Sequence, residues 1–148
     1  MEIIKAEEIP KIAVDSMNDT HWEEVSMVNE LGALIHNMQA RCAAGEDCQP
    51  AMAAAITSKL KAWHRHTKEH FERENQLMQE HGFPAFAVHS QAHQTALERL
   101  EQVVHEWEEN RKLEALHDYC FKVWPDWFLQ HVQTMDFVTA RFLQMRMK

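Results

Sequence analysis

The sequence predicts an all-α protein: an antiparallel up-down-up-down four-helix bundle preceded by an N-terminal arm. Three observations carry that expectation. Only three glycines and four prolines occur among 148 residues, too few turn formers for an all-β fold, whereas the helix-favouring Ala, Leu, Met, Gln, Glu and Lys abound. Apolar residues recur at helical spacing in four stretches. Short connections join those stretches, which makes successive helices antiparallel neighbours. The length suits a single domain over residues 1–148, with 1–17 as the arm and 18–148 as the bundle.

Each element has its local signals. After an arm containing Pro10, the stretch "SMNDTHWEE" offers Asn18 or Asp19 as a helix cap and fills the first turn with acids. Trp22, Val25, Val28, Leu31, Leu34, Ile35 and Met38 then repeat at helical spacing to about Arg41. "CAAGEDCQP" reads as a loop; Cys42 and Cys48 flank it and could pair under oxidation, though two idle thiols are the expectation. Pro50 suits a first helical turn. The second helix runs to His81, with Ile56, Leu60, Trp63, Thr67, His70, Glu74 and Leu77 on one stripe, until Gly82 stops it and Pro84 comes next but one. The third covers roughly 85–109, with Phe86, His89, His93, Ala96, Leu100, Val103 and Trp107 facing inward. "EENRK" marks a break. The last helix begins near Lys112 and is kinked or restarted at Pro125; Cys120, among aromatic neighbours, reads as core.

Bulk properties narrow the functional classes. A net charge of −8 with no Lys/Arg block argues against nucleic acid as a partner. No apolar run approaches the roughly 20 residues of a membrane span. The opening "MEIIKAEEIPKIAV" carries acids and lacks the apolar core of a signal peptide, and three cysteines, an odd number, fit a reducing cytoplasm.

Eleven histidines are the oddity. His70 and Glu74 lie 12 and 8 residues before Gly82, while His89 and His93 lie 7 and 11 after it. In an antiparallel pair, equal distances from a shared turn mean equal height, so both pairs fall in one layer. The last helix presents His131 and Asp136 in that layer, and His21 reaches it from the start of the first helix. Chance alone supplies roughly one His-x-x-x-Glu pair in a chain of this composition, so no single pair is diagnostic. Seven buried polar groups without partners would be ruinously costly; joint burial needs a metal or an extensive hydrogen-bond network, and a metal is the expectation. Imidazoles with carboxylates suit iron, manganese or zinc, and seven ligands exceed the needs of one ion, so two are expected. The His131–Asp136 offset of five rotates Asp136 by about 140° on an α-helix, which makes a bridging role plausible for it. His66 falls one turn outside the layer, and His36, His64, His81, His105 and His117 read as surface residues.

These residues resemble the hemerythrin family, specifically the small bacterial hemerythrin-like proteins, from about Asn18 to Phe142. The carriers are "NDTH" ending at His21, "HFERE" from His70 to Glu74, "HSQAH" from His89 to His93, and "WFLQHVQTMD" with His131 and Asp136. The resemblance implies a di-iron centre with an oxo or hydroxo bridge. His89, His93 and His131 would hold one iron and His21 and His70 the other, with Glu74 and Asp136 bridging. It also implies that O2 binds at the open position of the two-histidine iron, in a ligand pocket of Glu24, Phe71, Trp127, Phe128 and Val132. Phe128 is bulkier than the family's usual leucine there, and Asn75 replaces a Glu often seen after the ligand. Glu24 stands where oxygen carriers tend to be apolar. As a first-turn acid it is expected to swing to solvent; turned inward, it would favour autoxidation or peroxide chemistry.

Three functions are open to such a chain: an O2-binding protein for storage, delivery or scavenging; a sensor of O2 or NO; or a di-iron redox enzyme of peroxidase or oxidase type. The expected partners are O2, NO or peroxide, with the chain a monomer or weak homo-oligomer. A ferritin-type centre needs two Glu-x-x-His motifs on different helices, and the only one, Glu114–His117, lies outside the layer.

Overall fold

The computed structural model describes residues 2–45 and 50–147. Among them there is no strand, and long helices pack side by side as a helical bundle. Helix α1 spans Asp15–Ala43, α2 Pro50–Glu80 and α3 Phe86–Asn110. The fourth rod is composite: α4 (Leu113–Asp118), α5 (Trp124–His131) and α6 (Phe137–Arg146), spliced by π-helical turns at Tyr119–Val123 and Val132–Asp136. Cys48 lies outside the described residues, and with it the Cys42–Cys48 pair.

The first helix starts earlier than its sequence suggests. Val14 is its N-cap position, and no side chain caps it. Asn18 instead turns back on the preceding segment, accepting from the Ile12 N–H at 3.0 Å and donating to the Ile12 carbonyl at 2.9 Å. Asn29 does the same one layer on, accepting from Ile3 and Ile4 and donating to the Ile4 carbonyl. Side-chain amides thus give the N-terminal backbone the partners a strand would. Ile4 and Ile12 are buried, and Gly32 makes room: a Cβ there would come within 2.8 Å of Ile3. Trp22, which shares the apolar spacing of α1, is 58% exposed.

The turn between α2 and α3 obeys its sequence signals. Gly82 has φ +65°, the Phe83 N–H reaches the Met78 carbonyl at 2.9 Å and the Gly82 N–H reaches Gln79 at 3.2 Å. These are the paired bonds of a Schellman cap. At the "EENRK" break Arg111 takes a left-handed conformation, φ 52°, with its guanidinium on Thr57 at 2.8 Å.

The fourth rod bends its hydrogen bonding without breaking. Pro125 has no N–H and its ring crowds the previous turn. The chain widens just before it: the Trp124 N–H bonds to Tyr119, five residues back. The predicted kink is a π-turn. A second wide turn comes after it, with the Phe137 N–H on Val132, again five back. An isolated π-turn of this kind inserts one residue and re-aims the side chains beyond it. Cys120 is fully buried in the core, as its aromatic neighbours suggest.

Candidate metal centre

All seven residues of the sequence-predicted layer are buried and face one another. They come from α1 (His21), α2 (His70, Glu74), α3 (His89, His93), α5 (His131) and the second π-turn (Asp136). That π-turn corrects the rotation expected for Asp136. The 140° offset assumes α geometry; with one extra residue in the turn, the pair sits about one turn apart. His131 Nε2 and Asp136 Oδ1 are accordingly 3.2 Å apart.

Two clusters of ligand-type atoms result: His89, His93, His131 and Asp136 in one, His21, His70 and Glu74 in the other. The carboxylates join them. Asp136 turns Oδ2 to His21 Nε2 at 2.9 Å and Oδ1 to His89 Nε2 at 3.1 Å. Glu74 turns Oε2 to His70 Nε2 at 2.5 Å and Oε1 to His93 Nε2 at 3.3 Å. Each carboxylate therefore points one oxygen at each histidine group.

This arrangement fits a pair of cations better than it fits itself. Glu74 Oε1, His93 Nε2 and Asp136 Oδ1 are buried without a hydrogen bond, a state that costs about 1–3 kcal/mol for each neutral group and more for charged ones. His89 Nε2 and His131 Nε2 face each other at 3.2 Å. Adjacent ligands of an octahedral ion with bonds of about 2.0–2.2 Å lie about 3 Å apart. The separations of 3.1–3.3 Å around Asp136 and Glu74 match such an edge.

The far sides of the imidazoles set their tautomers. The Asn75 amide oxygen only accepts, so at 2.9 Å it holds the proton of His93 on Nδ1 and leaves Nε2 free. Thr139 meets His89 Nδ1 at 2.7 Å. Burial lowers the His93 pKa to about 4, which keeps that imidazole neutral, the form a metal takes. Rings clamp the ligands: Phe71 stacks on His93 at 4.1 Å and 6°, Trp127 on His131 at 4.7 Å and 17°, and Phe128 stands edge-on to His21 at 5.6 Å.

Glu24 departs from expectation. It does not swing to solvent; it is 2% exposed. Oε2 accepts from Trp63 Nε1 at 2.6 Å and Thr67 Oγ1 at 2.7 Å, and Oε1 meets His66 Nδ1 at 2.8 Å. Three partners outweigh the first-turn preference for solvent. Burial pushes its pKa up, but the hydrogen bonds from His66 and Thr67 and the nearby His70 imidazole prevail and hold it at about 2. His70 Nδ1 lies 3.6 Å away. His66 is thus half-buried and bonded to both Glu24 and the exposed Glu23. Of the remaining histidines, His36 and His105 are exposed, while His64, His81 and His117 are half-buried.

Of the pocket residues expected from sequence, Glu24, Phe71, Trp127 and Phe128 line a cavity of about 380 Å³ against the centre. Val132 does not: it is fully buried in the core and absent from the wall. The wall also holds Thr67, Tyr119, Trp124 and Arg99, which sequence reasoning misses, as it misses the supports Asn75 and Thr139. A signal for Thr139 does exist. It is a polar residue on the stripe Asp136, Thr139, Ala140, Leu143, at the 3–4 spacing of one helix face.

Fold and clusters describe an all-helical protein with histidine–carboxylate clusters that could hold cations. Residues 12–143 match the family model described as the hemerythrin HHE cation binding domain, and the chain belongs to that family. It is similar to a bacteriohemerythrin of Aquifex aeolicus (strain VF5), 23% identical over 141 residues, covering 95% of this chain and 98% of that protein. A second similar protein is a bacteriohemerythrin of Ralstonia nicotianae (strain ATCC BAA-1114 / GMI1000), 29% identical over 125 residues, covering 84% and 89%. No solved structure matches the chain at a significant level.

Proposed function

We propose that this chain is a di-iron, O2-binding protein serving oxygen storage, delivery or scavenging. It would be one hemerythrin-like domain, an antiparallel up-down-up-down bundle with an N-terminal arm, working in the cytoplasm. The observation that carries the reading is the double engagement of Asp136 and Glu74, each with one oxygen toward each histidine group. His89, His93 and His131 would hold one iron, His21 and His70 the other, and the two carboxylates would bridge. Three histidines against two leave the second ion short of a protein ligand, and that is where a diatomic ligand would enter. Bound there, the iron pair supplies two electrons and an open coordination position.

The chain's own residues do the rest. Phe128, Trp127 and Phe71 wall the centre with apolar rings and keep water away. The tautomer fixed by Asn75 keeps the His93 lone pair on the metal side. A redox-enzyme reading draws on Glu24, buried on the cavity wall. Its saturated, ionised state works against a role as proton donor, because no proton resides on it near neutral pH. The oxygen-binding reading is therefore preferred.

The test is a visible spectrum of protein loaded anaerobically with Fe(II), recorded before O2 is admitted, after, and again once it is removed. Colour that comes and goes with O2 is the expected result. A rapid irreversible change would favour the redox enzyme and make Glu24→Leu the next variant. Failure to take up iron would end the di-iron reading.

A further inference from the structure

The cavity beside the centre is far larger than a diatomic gas requires. One water-sized molecule needs on the order of 10–30 Å³, whereas this space measures about 380 Å³. That lies within the range of about 300–1,000 Å³ typical of sites for small organic ligands. It runs from His70, His131 and Asp136 at its inner end to Gln91, Thr95 and Arg99, exposed on α3. Ala92 and Ala96 are small residues on the α3 side of the wall, and Val123, Trp124 and Trp127 line the same cavity from the fourth rod.

The charge pattern selects the kind of ligand. The inner carboxylates are spoken for: Asp136 by the histidines, Glu24 by Trp63, Thr67 and His66. Arg99 is not. In a chain with 23 acidic residues it forms no ion pair and no hydrogen bond among the described residues. The one group it is seen to act on is the Tyr119 hydroxyl, whose pKa burial raises and Arg99 draws back. A guanidinium is a forked donor suited to a carboxylate, and flat aromatic walls suit a flat apolar body.

We propose that this cavity is a binding site for a small aromatic carboxylate, its anionic group on Arg99 and its ring between Trp127 and Ala96. The ligand would enter from the α3 side and end against the metal ligands, so its presence would narrow the route by which a diatomic molecule reaches the centre. The site rests on the cavity and on Arg99, and it stands whether or not iron is the resident metal.

The test is calorimetric titration of the protein, as isolated and after Fe(II) loading, with 3-phenylpropionate and with its neutral amide. The expected result is saturable one-to-one binding of the acid in both preparations. Arg99→Gln, at an exposed position, should weaken it at least tenfold, and the amide should bind the parent and Arg99→Gln equally weakly. Ala96→Phe, which fills the gap, should abolish binding, with circular dichroism confirming an unchanged helical fold. No saturable binding would overturn the proposal. So would an acid that binds Arg99→Gln as tightly as the parent, or an amide that binds as tightly as the acid. Acid that binds only after iron loading, and regardless of Arg99, would show a carboxylate on the metal and overturn it too. Failure to load iron would count against the oxygen-binding reading alone.

Discussion

The two halves of the centre are made of the same residue types yet are supported differently. On the three-histidine side two of the outward nitrogens meet neutral groups, Asn75 on His93 and Thr139 on His89. On the two-histidine side neither outward nitrogen makes a hydrogen bond: His70 Nδ1 has the buried carboxylate of Glu24 at 3.6 Å, and His21 Nδ1 has no bonded partner either. One half has three histidines; the other has two, with the buried Glu24 carboxylate beside it. The difference teaches that a nearly symmetric set of histidines becomes an asymmetric site through its supports. A negative partner makes a histidine a stronger donor to its metal, and a missing ligand leaves room for an exogenous one.

The largest expected effect comes from removing what the halves share. Asp136→Ala takes an oxygen from His21 on one side and from His89 and His131 on the other. Iron content, measured on the refolded and gel-filtered protein, should fall from about two ions per chain to well under one. His21→Ala touches one half only and should leave about one ion. If Asp136→Ala also leaves one, the carboxylate serves a single half and the bridged reading fails.

The next effect isolates the carboxylate that distinguishes the halves. Glu24 titrates at about 2 in the folded protein against an ordinary 4.5. Its folded pKa is depressed, so its stabilising contribution is fully present above about pH 4.5 and is lost as pH falls toward about 2. At one pKa unit to 1.36 kcal/mol this amounts to about 3 kcal/mol. Glu24→Gln should therefore melt roughly 5–10 °C below the parent at pH 7. The gap should shrink steadily between pH 5 and 3. A gap that persists undiminished into acid would mean that packing, and not charge, is what Glu24 contributes.

How much of this is legible in the sequence depends on whether a feature is set by local spacing. The α2–α3 turn at Gly82 and the height of His70, Glu74, His89 and His93 come from counting residues along regular helices, and those positions hold. Asp136 escapes such counting, because an α-helical rotation cannot foresee a π-turn. Pro125 hints at the first wide turn; nothing local announces the second. Asn18 looks like a cap and is one in chemistry, but its partner is Ile12 behind it and not the helix ahead. Glu24 defies its first-turn preference because that preference is local, whereas Trp63, His66 and Thr67 arrive from α2. The family resemblance implies a pocket position for Val132, yet consecutive helical residues face about 100° apart, and beside His131 it is fully buried in the core.

The smallest effect sharpens the comparison most. Asn75 and Thr139 touch only the outer nitrogens of His93 and His89, so changing them leaves both sets of ligand atoms in place. Losing such an outer partner typically costs about 10–100-fold in metal affinity. Both partners are neutral, so Asn75→Leu and Thr139→Val should each fall near the lower end, about tenfold. In a competition titration against a chelator, one of the two binding events should weaken and the other hold. Equal weakening of both would mean that the shared carboxylates transmit every perturbation and the halves act as one unit. Asn75→Asp makes the opposite move, giving His93 an anionic partner as Glu24 gives His70. It should tighten the same event that Asn75→Leu loosens, because a carboxylate draws the Nδ1 proton more strongly and enriches Nε2. If the two variants shift affinity in the same direction, the amide's fit matters and its charge does not, and the electrostatic account of the asymmetry would have to be given up.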